Sequence, residues 1–293
     1  MSAYPTRAAA SLLGLLVGSM VAMSQAPDPS RWGSVYVAGG TYFVAGQPLF
    51  RGDLEKLAPG SVLLAQDLSD HNFSNDRYYS GTGSFEISLG FLPWQREGKP
   101  GPELRLGVIY AGNIPQNALL QRTTRTPYDT LTSSQTGEQF FVDSMHQSSY
   151  WIEHSAERFG LNASLIWRTQ ARWSFFGGCG LAGGPAMNAG TYVRHTLVDR
   201  IDGPGANYEG GQYSQGYSAY TNGTEFFRNG TGWWLSMYTP IGLDFQIARY
   251  NAFWNRLHLY YEVRPQLLVQ NSPELGTYTD FGIQSLFGAR LKI

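Results

Sequence analysis

One stretch of the chain combines residue types that could carry out acyl chemistry. Residues 145–154 read MHQSSYWIEH and contain His146, Ser148, Ser149, Glu153 and His154. A serine activated by a histidine, itself oriented by an acid, is the machinery of nucleophilic hydrolases and acyltransferases. The spacing matches no recognised pattern, and serine and histidine are common in polar loops. We therefore expect no catalytic residue and no enzymatic activity, with acyl transfer or hydrolysis as the alternative.

Metal and cofactor sites are not indicated either. His146 and His154 share one face of an extended strand but would lie about 26 Å apart on it. The glycine-rich stretch at residues 177–184, GGCGLAGG, lacks the Lys-Ser/Thr pair that follows a phosphate-binding loop. The single cysteine, Cys179, is expected to be a small packed residue of a strand. We expect no metal and no cofactor.

Composition favours β-structure and excludes a nucleic-acid partner. Charged residues make up 15% of the chain, below the roughly 25% of ordinary soluble domains. Glycine accounts for 35 of 293 residues, which suits tight turns between strands. The net charge of −1 provides no basic surface for nucleic acid.

The N-terminus predicts export through the general secretion pathway. Residues 1–24 have the pattern of a signal peptide, with Arg7 before an uncharged run at residues 8–23. Cleavage is expected before Gln25, after Ala26 as a second option, and an uncleaved anchor is the alternative. Residues 25–32 would then form a short periplasmic segment before one domain at residues 33–293.

Strict alternation of apolar and polar residues predicts eight strands, although ten are not excluded. In residues 278–293, YTDFGIQSLFGARLKI, one parity is almost entirely apolar and the other is polar or glycine. A Gly39-Gly40 pair in the first segment is expected to mark a bulge or tight curvature. The remaining segments are 34–44, 84–91, 103–110, 158–167, 173–186, 235–247 and 256–269.

The connections between these segments alternate between short and long. The short connections are residues 95–102, 168–172 and 250–255, and the long ones are residues 46–81, 113–149 and 187–232. Residues 271–277 are also short, but by their order along the chain they belong with the long connections. In an up-and-down antiparallel barrel this places all short turns at one end. The pattern is typical of transmembrane β-barrels with short periplasmic turns and long extracellular loops.

The two parities predict a lipid-facing exterior and a charged interior. Trp94, Trp167, Trp173 and Trp254 lie near the short turns, where an interfacial girdle would sit. An eight-stranded barrel is just wide enough to be filled by side chains, and buried charges must pair. We expect a lumen charge network of Glu86, Glu103, Arg105, Asp244, Glu262, Arg264 and Arg290. The alternatives are a narrow channel and a soluble lipocalin-like barrel with its apolar face inward.

Taken together, residues 33–293 resemble the small outer-membrane β-barrels typified by OmpA and OmpX, and most of all those of the Bacteroidota. The resemblance is architectural, and the strand at residues 281–293 ends Leu-Lys-Ile where an aromatic residue is usual. It implies integral location in the outer membrane, contact with its lipid and lipopolysaccharide, and recognition by the barrel-assembly machinery. It also makes a lipid A acyltransferase or deacylase the natural form of the enzyme alternative.

The long loops carry the functional expectation. The third is rich in tyrosine, glycine and asparagine, a composition suited to binding a partner protein, a glycan or an external surface. The protein could also be a subunit of a larger outer-membrane complex. In the second loop, Asp129-Thr130-Leu131 and Asp143-Ser144-Met145 resemble the O-glycosylation pattern of the Bacteroidota. Thr130 and Ser144 are therefore candidate glycan acceptors.

Overall fold

The computed structural model describes residues 32–45, 49–74, 79–92, 101–132, 137, 139–202, 218–248, 250–251 and 253–293. The expected signal peptide, nearly all of the N-terminal segment and Trp94 lie outside these residues. The described elements are one helix, α1 (Arg51–Leu57), and twelve strands: β1 (Trp32–Ala45), β2 (Asn72–Ser74), β3 (Tyr79–Phe91), β4 (Glu103–Ala111), β5 (Gln116–Thr132), β6 (Gln139–Arg168), β7 (Trp173–Asp202), β8 (Ser218–Arg228), β9 (Gly232–Tyr238), β10 (Ile241–Gln246), β11 (Leu257–Ser272) and β12 (Gly276–Lys292).

The strands form a closed antiparallel ring. Its order is β1, β3, β4, β6, β7, then β9 and β10 end to end, β11 and β12, which makes eight positions. β12 pairs back onto β1 from Ser34–Lys292 to Val44–Gly282 and closes the wall. Closure leaves the barrel no free edge. The predicted all-β, up-and-down antiparallel barrel is confirmed, and each of the eight predicted segments is a strand of this ring.

Several strands continue well past the ring at the end opposite the short turns. β4 and β5 pair in succession with β6, and β8 and β9 pair in succession with β7. β6 and β7 have 30 residues each, so they extend about 100 Å at 3.3 Å per residue. We call the projecting part, formed by β2, β5, residues 139–155 of β6, 190–202 of β7 and β8, the outer sheet.

Much of what the sequence indicated as loop in residues 113–149 and 187–232 is therefore strand. Residues 121–130 of β5 are nearly all exposed, including polar residues of both parities. Because the two faces of β5 do not differ in burial there, the sequence shows no period of two. Backbone pairing with the strongly patterned β6 and β7 sets the structure instead.

The two faces of the ring have opposite character. The side chains turned inward include buried charges, whereas large apolar side chains on the outward faces remain exposed, with Leu161 68% exposed. Trp167, Trp173 and Trp254 are exposed beside the short-turn end, and Cys179 is exposed on β7. The outward apolar set includes Phe85, Leu106, Phe159, Leu181, Leu235, Leu267, Phe281 and Phe287.

Gly40 marks a close approach of strands where a bulge was expected. β1 pairs without a register shift through Gly39 and Gly40, and its one shift falls between Trp32 and Ser34. A Cβ atom on Gly40 would lie 1.8 Å from the Ser285 carbonyl oxygen, whereas on Gly39 its nearest neighbour would be 3.8 Å away. Gly40 thus lets β1 and β12 come together.

The first long connection folds back into the mouth of the ring. Within it, α1 begins where the Asp53 carboxylate accepts a hydrogen bond from the Phe50 N–H. Leu54 and Leu57 of α1 pack on Tyr150 and Ile152 of the outer sheet, and Leu275 from the β11–β12 turn packs against the same cluster. We call residues 49–71 the cap. Since β6 and the β11–β12 turn lie on different sides of the ring, the cap crosses its mouth.

No helix among the described residues is long and apolar enough to cross a membrane.

Candidate functional site

The middle of the lumen holds a compact group of ion pairs. Arg105 on β4 donates two parallel hydrogen bonds to Glu262 on β11, each 2.8 Å long. Arg264 bonds to Glu86 on β3 and, through Nε, to Glu262. All four side chains are at most 1% exposed. β4 and β11 are four positions apart in a ring of eight, so Arg105 and Glu262 meet across the full width of the lumen.

A second group lies nearer the short-turn end. Asp244 on β10 accepts hydrogen bonds from Arg168 on β6, Arg290 on β12 and His258 on β11. Glu103 accepts a hydrogen bond of 2.8 Å from the Tyr36 hydroxyl and lies 3.6 Å from Arg168. These side chains again come from strands spread around the ring and converge on its axis.

The structure thus separates the seven residues expected in the lumen into two groups. Glu86, Arg105, Glu262 and Arg264 form the central one, and Glu103, Asp244 and Arg290 belong to the second. Sequence reasoning missed Arg168, because it was counted into the turn at residues 168–172. Arg168 continues the even-numbered residues of β6 whose side chains point inward, and this position in the alternation could have placed it in the lumen. The preceding members of that set are Arg158, Asn162, Ser164 and Ile166.

Towards the cap, the lumen is polar but less charged. Arg158 bonds to Gln270 and stacks over the Tyr42 ring at 5.5 Å from its centroid. Several buried polar atoms at this level have no protein partner, among them the Tyr42 hydroxyl and both side-chain polar atoms of Asn162. Buried polar atoms of this kind are ordinarily satisfied by ordered water.

The cap is fastened to the outer sheet by polar contacts. The Glu225 carboxylate on β8 accepts hydrogen bonds from the Val62 and Leu63 amides and from the Ser61 hydroxyl. On the opposite flank, Arg122 on β5 approaches Asp70 at 3.6 Å. With the apolar cluster beneath it, the cap is anchored at both flanks.

Two histidines meet where the cap touches the outer sheet. The Ser148 hydroxyl lies 2.9 Å from Nε2 of His195 and 3.4 Å from Nε2 of His71. Tyr150 stacks on the His195 ring at 4.2 Å between centroids. Burial lowers the pKa of both histidines; Arg122 and Arg51 lower that of His71 further, and His71 lowers that of His195. Both imidazoles are therefore held in the neutral form.

The five residues singled out in MHQSSYWIEH do not form one site. Ser149 donates to the Thr196 carbonyl oxygen, Glu153 accepts from the Trp151 indole, and His154 is buried against Thr191. Alternate residues of β6 point to opposite faces, which separates Ser149 and Glu153 from the rest.

His146 instead lies between two residues that the sequence did not connect with it. Its Nδ1 is 2.7 Å from Oδ1 of Asp199, and its Nε2 is 3.3 Å from the Ser144 hydroxyl. Asp199 pairs directly opposite His146 on β7. The Ser-x-His spacing was visible in the sequence, but the register that supplies Asp199 was not.

The two candidate glycan acceptors lie on the outer sheet. Thr130 is exposed on β5, and its amide donates to the Asp129 carboxylate. Ser144 is half-buried on β6. Within the described part of the chain, no group of three or more His, Cys, Asp or Glu side chains could hold a metal ion.

Comparison with known proteins adds little to this geometry. No family model matches the sequence, and no curated protein matches it. Among solved structures, Neisserial surface protein A is similar at 12% identity and a TM-score of 0.32, covering 89% of this chain and 99% of that one. Ail of Yersinia pestis, solved with the heparin analogue sucrose octasulfate, is similar at 9% identity and a TM-score of 0.23, with the same coverage. Likeness at this level supports no inference about activity or partners, and the fold rests on the strand pairing itself.

Proposed function

We propose that this protein is an integral outer-membrane β-barrel with a plugged lumen, whose outer sheet presents a binding surface outside the cell. The observation that carries the proposal is the reversed polarity of the closed ring. Charged side chains fill its interior, while a belt of leucine, phenylalanine and tryptophan covers its exterior. A bilayer is the solvent that makes such an exterior favourable, and only closed barrels and helices satisfy their backbone inside it.

The barrel and cap act as a structural support without catalytic function of their own. The Arg105–Glu262 pair spans the lumen. Asp244 accepts hydrogen bonds from Arg168, Arg290 and His258 nearer the short turns, and the cap crosses the mouth at the other end. Three successive obstructions argue against a solute channel. We assign the short turns to the periplasmic side and the outer sheet to the outside, the orientation typical of such barrels.

The outer sheet is the part suited to recognition. It extends beyond the apolar belt and exposes Tyr128, Phe141 and Tyr220. Aromatic side chains that are exposed on a rigid support bind protein or glycan surfaces at low entropic cost. We infer that the partner is a protein, glycan or surface outside the cell, or another component of a larger outer-membrane complex.

Two measurements test the proposal. Unboiled, detergent-solubilised protein should migrate differently from boiled protein on a gel and should fractionate with outer membranes. If boiling leaves the mobility unchanged and the protein partitions into the soluble fraction, the apolar exterior of the ring does not face lipid. In planar bilayers the purified barrel should give no steady conductance. Stable unitary currents would show that the lumen is an open channel and not plugged.

A further inference from the structure

The outer sheet carries a serine, a histidine and an aspartate in the connectivity of a hydrolytic triad. The Ser144 hydroxyl is 3.3 Å from Nε2 of His146, and Nδ1 of His146 is 2.7 Å from Oδ1 of Asp199. The nucleophile and the acid therefore contact different nitrogens of the same imidazole. Such triads are identified by this geometry and not by order in the sequence.

The arrangement is built into the strand ladder. Ser144 and His146 are two residues apart on β6, so their side chains share one face. His146 and Asp199 are direct partners between β6 and β7, and the pairing is regular from Asp143 to Ser155. All three side chains thus project from paired strands, the kind of support that holds a site in place.

We propose that Ser144, His146 and Asp199 form an esterase site that hydrolyses carboxylic esters. The proposal goes beyond the structural role of the barrel. The triad itself does not depend on location in a membrane, whereas the choice of substrate class rests on the proposed outer-membrane location. The Ser144 oxygen forms a bond to the ester carbonyl carbon while His146 removes the proton from the Ser144 hydroxyl. The ester C–O bond then breaks, His146 gives the proton to the departing alcohol, and the acyl group stays on Ser144.

Water completes the cycle. His146 takes a proton from a water molecule whose oxygen bonds to the acyl carbon; the bond to Ser144 breaks, and the proton returns to the Ser144 oxygen. Asp199 keeps the Nδ1 proton in place and stabilises the imidazolium at each stage. Thr126 on β5 pairs directly with Ser144, so its side chain lies on the same face of the sheet as the Ser144 hydroxyl.

The position of the site selects the class of ester. The His146 side chain is 59% exposed and that of Asp199 45%, so the site opens to water. Ser144 lies 17 residues along β6 from Leu161 of the apolar belt, about 56 Å in an extended strand. A lipid in the same membrane would not reach it. We therefore assign a water-soluble ester presented outside the cell, and not lipid A.

The test uses the full-length folded protein with a fluorophosphonate probe and two substrates. Three variants are compared with the wild type: Ser144→Ala, His146→Gln and Asp199→Asn. The matched control is Ser148→Ala, because Ser148 also contacts a histidine. Heat-modifiable migration verifies that each variant is folded. p-Nitrophenyl butyrate tests a soluble ester, and phosphatidylcholine vesicles test a membrane lipid.

The expected result is labelling of Ser144 and hydrolysis of the soluble ester, both lost in Ser144→Ala and kept in Ser148→Ala. Hydrolysis should fall about 1,000-fold or more in His146→Gln and Asp199→Asn. Absence of labelling in the wild type, or labelling that persists in Ser144→Ala, would overturn the triad. Hydrolysis of the vesicle lipid in preference to the soluble ester would overturn the substrate class.

Discussion

Arg105 and Glu262 face each other across the centre of the barrel and share a two-pronged hydrogen bond, Nη1 to Oε2 and Nη2 to Oε1, at 2.8 Å each. Both side chains are at most 1% exposed. Without Arg105, the two buried carboxylates Glu86 and Glu262 would share the single guanidinium of Arg264, and such an unbalanced buried charge is costly. The pair therefore joins two opposite walls of the ring.

Removing one member of this pair should destabilise the barrel strongly. We expect Arg105→Leu to lower the free energy of unfolding by about 3–5 kcal/mol, and the double change with Glu262→Leu to cost less than Arg105→Leu alone. Denaturant unfolding in micelles measures both. The control is Lys56→Ala, which breaks an exposed pair with Asp53 and should cost less than about 1 kcal/mol. Equal effects of Arg105→Leu and Lys56→Ala would contradict the prediction.

Two adjacent glycines should respond very differently to the same change. Gly40→Ala places a Cβ atom 1.8 Å from the Ser285 carbonyl oxygen and should prevent β1 from pairing with β12, whereas Gly39→Ala meets nothing closer than 3.8 Å. We expect Gly39→Ala to keep the heat-modifiable band and Gly40→Ala to lose it. If Gly40→Ala keeps the band at wild-type stability, the close approach of the two strands is wrong.

Acidification should loosen the cap. The pKa values of His71 and His195 are lowered in the folded protein, so the released cap binds more protons than the packed one. The stability of the packed cap is fully present above the ordinary histidine pKa of about 6.5 and is lost as the pH falls towards the lowered values. Faster hydrogen exchange of residues 49–71 at pH 5.5 than at pH 7.5, corrected for intrinsic rates, is the expected result.

The charges around these histidines set the size of that effect. Arg51 and Arg122 oppose protonation of His71, and Asp67 and Asp70 favour it. The double variant His71→Gln/His195→Gln should show exchange in the cap that no longer accelerates between pH 7.5 and pH 5.5. An undiminished acceleration in that variant would assign the pH response to other groups.

The outward belt should tolerate no charge, unlike exposed apolar residues beyond it. Leu161→Arg, on the outward face of β6 within the ring, should cost about 2–4 kcal/mol in a lipid bilayer if it lies near the midplane. Phe141→Arg is the matched change on the outer sheet, where Phe141 is 72% exposed, and should cost little. Unfolding in lipid vesicles compares the two, and equal costs would show that Leu161 does not face lipid.

Thr130 and Ser144 are both candidate glycan acceptors, and Ser144 is also the proposed nucleophile of the esterase site. Protein from its native host, analysed by intact mass and peptide mapping, should carry a glycan at Thr130, which is exposed and follows Asp129. Thr130→Ala should remove that mass. A glycan on Ser144 would occupy the oxygen that the esterase site requires, so complete modification there would exclude the triad in the mature protein. An unmodified wild type would refute glycosylation at Thr130.

The sequence predicted the ring well because the exterior of the ring is apolar and its lumen polar, so alternate residues differ in type. Leu259, Tyr261 and Val263 alternate with His258 and Glu262, and that contrast revealed the strand. β5 has no such contrast, and its strand state follows from pairing with β6, which sequence alone does not specify. The same holds for the site: Ser144 and His146 could be read from their spacing, but Asp199 depends on the register between β6 and β7.

The pairing of β1 with β12 also has a consequence for biogenesis. Ser34 meets Lys292, so the wall joins strands from nearly opposite ends of the sequence. Contacts between residues so far apart in the sequence form slowly, because the intervening chain loses conformational entropy before the contact can stabilise the fold. Until the last strand arrives, the sheet has two unpaired edges and an apolar face that promote aggregation. We therefore expect the newly made polypeptide to need protection of these edges and of this apolar face until all of its strands can pair.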